Sequence, residues 1–317
     1  MTRIWVALAS TIVLTALAMS ACEKRGPGAE HLSFDTAEAA VAALVAAAEK
    51  HDVDELGRLL GPGTEDLLSS GDEVSDRAER EAFLKRYRAR HRLVAGGPDD
   101  AVLQVGEDDW PLPIPLVREA GKWRFDGAAV ADELVLRRIG ANELRTIDVM
   151  QGFVAAQEEY AAAGHDGAAP GVYAKNFRST PGTHDGLYWE VASGESPSPA
   201  GPFLAAAAEE GYALKSASEQ PRGKRTPYHG YVYRMLLSQG PAANGGARDY
   251  LVNGRLTGGF AVLAVPETYG ASGVMSFIVS QDGIVWQRDL GEKTAELTAS
   301  MQQFDPDPAW TPIAPEG

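Results

Sequence analysis

Residues 130–163 read VADELVLRRIGANELRTIDVMQGFVAAQEEYAAA, and this stretch decides how the chain is organised. Leu144, Ile147, Val154 and Tyr160 recur at helical spacing, while Met150 and Phe153 widen the stripe they form. Gly164 stops the run. The spacing predicts one long helix, or a pair kinked near Gly140. Before it the chain reads as helices followed by short strands; after it, as strands between Gly and Pro punctuation. The expected class is therefore α+β. An N-terminal helical and antiparallel-sheet module covers residues 34–130, and the long helix with a second antiparallel sheet covers 131–317.

Upstream, residues 34–91 read as helical. Thr36 to Glu49 is an Ala-rich run with Val41, Leu44, Val45 and Ala48 in phase. His51-Asp52 restarts a short helix through Leu56, Leu59 and Leu60, ended by Gly61-Pro62-Gly63. A third helix is expected to be capped near Ser75 or Asp76. Asp72, Glu73 and Asp76 lack a calcium-loop order and read as a solvated helix start. Strands are expected at 101–105, 112–118 and 122–126, with Pro111, Pro113 and Pro115 leaving the middle one few ladder donors. Downstream, a small helix is expected from Pro202 to Gly211, an exposed loop at Arg222 to Arg225, and strands at 228–236, 260–265, 274–279 and 284–288. Asp282-Gly283 signals a hairpin. The Pro-rich tail from Asp305 is expected to lie on the surface or loose.

The amino terminus carries a different message. Arg3 precedes an uncharged apolar run from Ile4 to Met19, then Ser20, Ala21 and Cys22. That is the anatomy of a signal peptide over residues 1–21, too short for the ~20 apolar residues of a spanning helix. The small residues before Cys22 resemble the lipobox of bacterial lipoproteins, with Met19 in place of the usual Leu. The resemblance implies diacylglycerol on the Cys22 thiol and cleavage before it. Glu23 rather than Asp implies, by the same likeness, sorting to the outer membrane, facing the periplasm, rather than the inner one. Residues 22–33 read as a flexible tether. The other reading is an ordinary leader cut after Ala21, which would strand an unpaired thiol in an oxidising compartment.

Composition narrows the partners. The net charge is −15, one unit lower once Arg3 leaves with the leader. Such acidity argues against nucleic acid, whose binders neutralise phosphates with Lys and Arg, and against resting on an anionic lipid surface. Hydrophobic residues make up 44% of the chain, enough for real cores. With Cys22 the only cysteine, neither a disulfide nor a Cys-ligated metal is available.

Several separated blocks occur in order: Arg137-Arg138-Ile139-Gly140-Ala141-Asn142-Glu143-Leu144, Ala156-Gln157-Glu158-Glu159-Tyr160, Asp185 to Trp189, Pro227-Tyr228-His229-Gly230-Tyr231, Gly258 to Ala261 and Asp289-Leu290-Gly291. Together they resemble the bacterial family catalogued as domain of unknown function 2950, over roughly Phe34 to Trp310. That resemblance implies a fold and a compartment, and no activity. The 34–130 module has the element order of nuclear transport factor 2-like domains, or is an unrelated small α+β unit. The second module resembles the globular head of type IV pilins and pseudopilins. Its helix carries Asp132, Glu133, Arg137 and Arg138, which hydrocarbon would not accept, so the lipid on Cys22 would supply the attachment.

No catalytic signature is present in the sequence. The six histidines make no His-Glu-x-x-His pattern, Gly270-Ala271-Ser272-Gly273 lacks the spacing of a nucleophile elbow, and phosphate-binding Gly patterns are absent. No metal and no cofactor are expected. The best site candidate is a groove made by two aromatic blocks, with Asp185, Tyr188 and Trp189 from one and Tyr228, His229 and Tyr231 from the other. His229 with Asp185 or Glu190 could form an acid–base pair. Tyr188, Trp189 and Tyr231 could stack on sugar or peptide. The plainer reading makes these rings core residues with polar handles. The expectation is a non-catalytic, lipid-anchored envelope protein that binds or scaffolds, with an envelope protein or glycan as partner. A glycan- or peptide-binding protein is the second reading, and an envelope hydrolase centred on His229 the third.

Overall fold

The computed structural model describes residues 30–191, 196–212 and 226–314. Cys22 with its lipobox, most of the tether, and the Arg222–Arg225 loop lie outside the described residues. Helix α1 (Ala37–Lys50) begins where the Thr36 hydroxyl accepts the Ala39 N–H and ends where His51 turns left-handed, φ 52°. Asp52 at once caps α2 (Val53–Leu60) by accepting the Glu55 N–H at 3.0 Å. One turn, α3 (Glu65–Leu68), precedes α4 (Glu73–Ala89).

The cap of α4 is Asp72, not Ser75 or Asp76: its Oδ1 accepts the Ser75 N–H at 3.2 Å. Asp76 instead accepts the Ser70 N–H and hydroxyl at 3.0 and 2.8 Å. Neither acid belongs to a solvated helix start, because both are buried. Backbone and hydroxyl donors replace water around each carboxylate.

The first sheet has the order β1 (His91–Ala95), β2 (Asp100–Val105), β4 (Leu116–Glu119), β5 (Lys122–Phe125), all antiparallel, with β3 (Trp110–Pro111) beside β2. Strand β1 starts at His91, the last residue of the helical reading, and runs through residues where no strand is expected from sequence. It lies at the sheet's edge and is largely exposed, so it lacks the apolar alternation that would mark it. The expected 112–118 strand is shorter and split from β3, since each proline removes a ladder N–H. Val41, Leu44, Leu59, Leu103, Leu116 and Phe125 form the core between sheet and helices.

Helix α5 (Ala131–Ala163) is one unbroken element of 33 residues, with no break at Gly140. Leu134 packs against the N-terminal core, whereas Met150, Phe153, Val154 and Tyr160 belong to the second core. Leu144 does not join the stripe and is 62% exposed. Six residues before Met150, it lies about 120° round a helix of 3.6 residues per turn. Buried Asn142, Thr146 and Gln157 occupy the inner face in its stead.

Beyond α5, β6 (Asn176–Arg178) and β7 (Gly186–Tyr188) pair in parallel and lead to α6 (Gly201–Glu209). Strand β8 (Tyr231–Leu236) follows, then two small ribbons: β9 (Ser238–Gln239) with β10 (Arg248–Asp249), and β11 (Leu251–Val252) with β12 (Arg255–Leu256). Strands β13 (Ala261–Pro266), β14 (Met275–Ser280) and β15 (Trp286–Asp289), helix α7 (Thr294–Ser300) and β16 (Thr311–Pro312) complete the chain. The second sheet is antiparallel throughout, in the order β16-β15-β14-β13-β8. Its centre is apolar: β13 places Val262 opposite Val279 on one side and Met235 on the other. Through residue 314 the tail lies mostly at the surface but is not loose. Phe304 and Trp310 are buried and β16 pairs with β15, so two aromatic anchors override the proline content. No described helix is long and apolar enough to cross a membrane.

Candidate functional site

The polar residues of α5 act as joints. Asn142 Nδ2 donates to the Ser272 carbonyl at 3.0 Å, and Glu143 Oε1 accepts the N–H groups of Val274 and Met275, both at 2.9 Å. Gln157 pairs with both backbone groups of Ala174, donating to its carbonyl at 2.8 Å and accepting its N–H at 2.9 Å. Tyr160 donates to the His184 carbonyl, and burial pushes its phenol up to about 12. Arg138 reaches the other way, donating to the carbonyls of Asp66 and Leu67 in the N-terminal module.

His229 lies in a tight turn rather than in the strand expected from Tyr228. Tyr228 and Tyr231 exchange backbone hydrogen bonds at 2.8 and 3.1 Å, and His229 and Gly230 between them both have positive φ, 51° and 76°. This is the two-residue hairpin pattern that favours left-handed residues. Asp72 Oδ2 accepts the Gly230 N–H at 2.9 Å and the Tyr212 hydroxyl at 2.8 Å, while that hydroxyl accepts the His229 N–H at 3.2 Å. The N-terminus of α4 thus holds the start of β8.

The carboxylate nearest the imidazole is that of Glu210, 3.4 Å from His229 Nε2; the expected partners Asp185 and Glu190 are engaged elsewhere. Burial lowers the His229 pKa, with Glu210 opposing the shift and Arg145 adding to it. The Tyr212 phenol beside it is pushed far up by burial and by the charge of Asp72, so it stays protonated.

A folded state that holds His229 less protonated than the unfolded chain gains stability above pH 6.5, the ordinary value, and loses it as pH falls through the lowered one. His165 shifts in the same direction through burial. His229→Asn, which tolerates positive φ, should therefore flatten the decline in urea midpoint between about pH 7 and pH 5. An unchanged pH slope would contradict this.

The first aromatic block is tied down locally. Asp185 accepts the Thr180 N–H at 2.7 Å, the hydroxyls of Thr183 and Thr180, and the amide of Asn176. Burial alone would raise its pKa, but these donors and the nearby Lys175 outweigh it, and the net shift is downward. Tyr188 lies under the Arg178 guanidinium at 5.4 Å. Trp189 packs on His184 and His165, with ring centroids 4.5 and 5.1 Å away. Tyr231 is fully buried, with its hydroxyl on the Met275 carbonyl at 2.9 Å.

Between these blocks lies a cavity of about 690 Å³. Its walls are Phe153 and Ala156 on α5, Leu187 on β7, Phe203 and Leu204 on α6, and Met235 on β8. The gap follows from the topology: β8 is the edge strand of its sheet, and α6, which packs against β7, lines the cavity together with it. Gly152 lets α6 come close to α5, since a Cβ there would stand 2.1 Å from the Phe203 ring. Of the six groove residues expected from sequence, only Tyr228 lines the cavity; the first block contributes Leu187 in place of Tyr188 or Trp189. Phe153, Phe203 and Leu204 were not foreseen, because in sequence they read as ordinary helix core. Among the described residues no three His, Cys, Asp or Glu side chains gather in a way that could hold a metal ion.

Fold and site define an α+β chain with two main sheets, two hydrophobic cores and an open-sided, mostly apolar cavity. A family model described as "Protein of unknown function (DUF2950)" matches residues 31–313, and the chain belongs to that family. No curated protein and no solved structure matches it, so the nuclear transport factor 2-like and pilin-like likenesses gain no support.

Proposed function

We propose that this is a lipid-anchored cell-envelope protein, held through Cys22, that works by binding a small apolar ligand rather than by catalysis. The cavity carries the reading: 690 Å³ lies within the ~300–1,000 Å³ of small-molecule sites, and its walls are mainly aliphatic and aromatic with a few polar groups. Sugar stacking is less favoured, because it needs open rings while Tyr231 is enclosed and Tyr188 already lies beneath Arg178. A hydrolase is less favoured too, since His229 lies outside the cavity lining and the phenol beside it is a poor nucleophile at neutral pH.

Titration of the acyl-free protein with a neutral naphthylamine dye should show saturable fluorescence enhancement. Leu204→Trp, which places an indole in the cavity, should weaken that binding at least about tenfold while far-UV circular dichroism stays unchanged. No saturable binding by the wild-type protein would sink the reading. The anchor is tested separately: Cys22→Ser should abolish lipid labelling and release the protein from membranes, and unchanged fractionation would refute the anchor.

A further inference from the structure

Acidic residues outnumber basic ones 44 to 29 in this chain, yet the described lining of the cavity inverts the balance. It contains Lys175, Arg178 and Arg234 and no Asp or Glu. Lys175 and Arg178 flank Asn176 on and beside β6, at the end where Ser179 and Thr180 also line the wall. Arg178 is held in place: it ion-pairs with Glu190 at 3.0 Å and lies over Tyr188. Arg234 donates to the carbonyls of Thr298 and Met301, both at 2.6 Å. Asp185 stands close enough to Lys175 to feel its charge but does not line the cavity. The opposite wall, from Phe153 to Phe203 and Leu204, carries no charge. An apolar chamber with a cationic, hydroxyl-bearing end in a strongly acidic protein selects by charge as well as by area.

We propose that the cavity takes an amphipathic anion, an apolar chain ending in a carboxylate or phosphate, with the anionic group at the Lys175–Arg178 end and the chain between α5 and α6. The proposal rests on the ligand-binding reading above and names the ligand class. A cation would be repelled there by Lys175, and a neutral hydrocarbon would draw nothing from its charge. Apolar burial of ~0.8 kcal/mol per CH₂ converts to about a fourfold gain in affinity for each added carbon until the chamber is full.

The test is calorimetric titration of the acyl-free protein with saturated fatty acids of increasing length, the matching alcohols, and one alkyl phosphate. The acids or the phosphate should bind at least about tenfold more tightly than the alcohol of equal length, and affinity should climb with length and then level off. Lys175→Glu, at an exposed position, should erase the preference for the acid over the alcohol of equal length. Lys175→Ala should reduce it part-way. Equal affinity of acid and alcohol, or an anion preference that survives Lys175→Glu, would overturn the anionic assignment and leave cavity binding standing. If neither acid nor alcohol binds and the dye also fails, the binding reading itself falls.

Discussion

Replacing Asp72 with alanine is expected to destabilise the protein by about 3–7 kcal/mol. Asp72 is fully buried, and its two oxygens accept three donors: the Ser75 N–H, the Tyr212 hydroxyl and the Gly230 N–H. Loss of the helix cap is worth ~1 kcal/mol. The Tyr212 hydroxyl and the Gly230 N–H would then be left in a dry site, at ~1–3 kcal/mol each. Asp72→Asn keeps the shape and one acceptor oxygen but sets an NH₂ against a donor, so it should fall between wild type and alanine. Urea unfolding gives the ranking, and the Asp72→Ala/Tyr212→Phe double-mutant cycle should show a coupling of ~0.5–3 kcal/mol. Additive effects would mean that the Tyr212 contact is incidental. Because Tyr228 lines the cavity and the Tyr228–Tyr231 turn hangs on Asp72, dye affinity should fall with stability.

The legible part of the fold was the part written as periodicity. The Ala-rich α1, the long α5 and the apolar β13 and β14 each repeat a helical or strand pattern across a whole element; sequence leaves open only whether α5 kinks at Gly140, and it does not. What escaped depended on partners rather than on a segment's own pattern. Strand β1 exists because β2 pairs with it, and only Leu93 among its own residues turns toward the core. The burial of Asp72 requires Gly230, 158 residues further on. The tail joins the sheet because Phe304 and Trp310 find the core, while its prolines advertised a loop. The site followed the same rule. Tyr228 was read as a groove residue and does line the cavity, but the remaining walls come from Phe153, Leu187 and Phe203, on three elements brought together only by packing. The family blocks pointed to something real but different from a binding groove. Asn142, Glu143, Gln157 and Tyr160 spend their polar atoms on backbone groups of loops and strand ends, which makes them fasteners of α5.

Gln157 offers the sharpest test of that fastening role. Gln157→Leu keeps the volume and removes both hydrogen bonds, leaving the buried N–H and carbonyl of Ala174 without partners. The expected loss is about 2–5 kcal/mol. The consequence for binding is specific, because Ala174 immediately precedes the Lys175–Pro181 wall of the cavity. Ligand or dye affinity should therefore fall more than for a variant of equal instability in the N-terminal core, such as Leu59→Ala. Gln157→Glu adds a pH signature. As a carboxylate it still accepts the Ala174 N–H but turns a second acceptor toward the carbonyl; once protonated, its O–H can donate there and restore the pair. Its folded pKa should thus be raised, so its contribution is complete below the ordinary carboxylate range and is lost as pH rises through the raised value. Relative to wild type, this variant should grow more stable on acidification, whereas Gln157→Leu should show no such trend. Parallel pH profiles for the two would mean that the Ala174 pairing does not hold this wall.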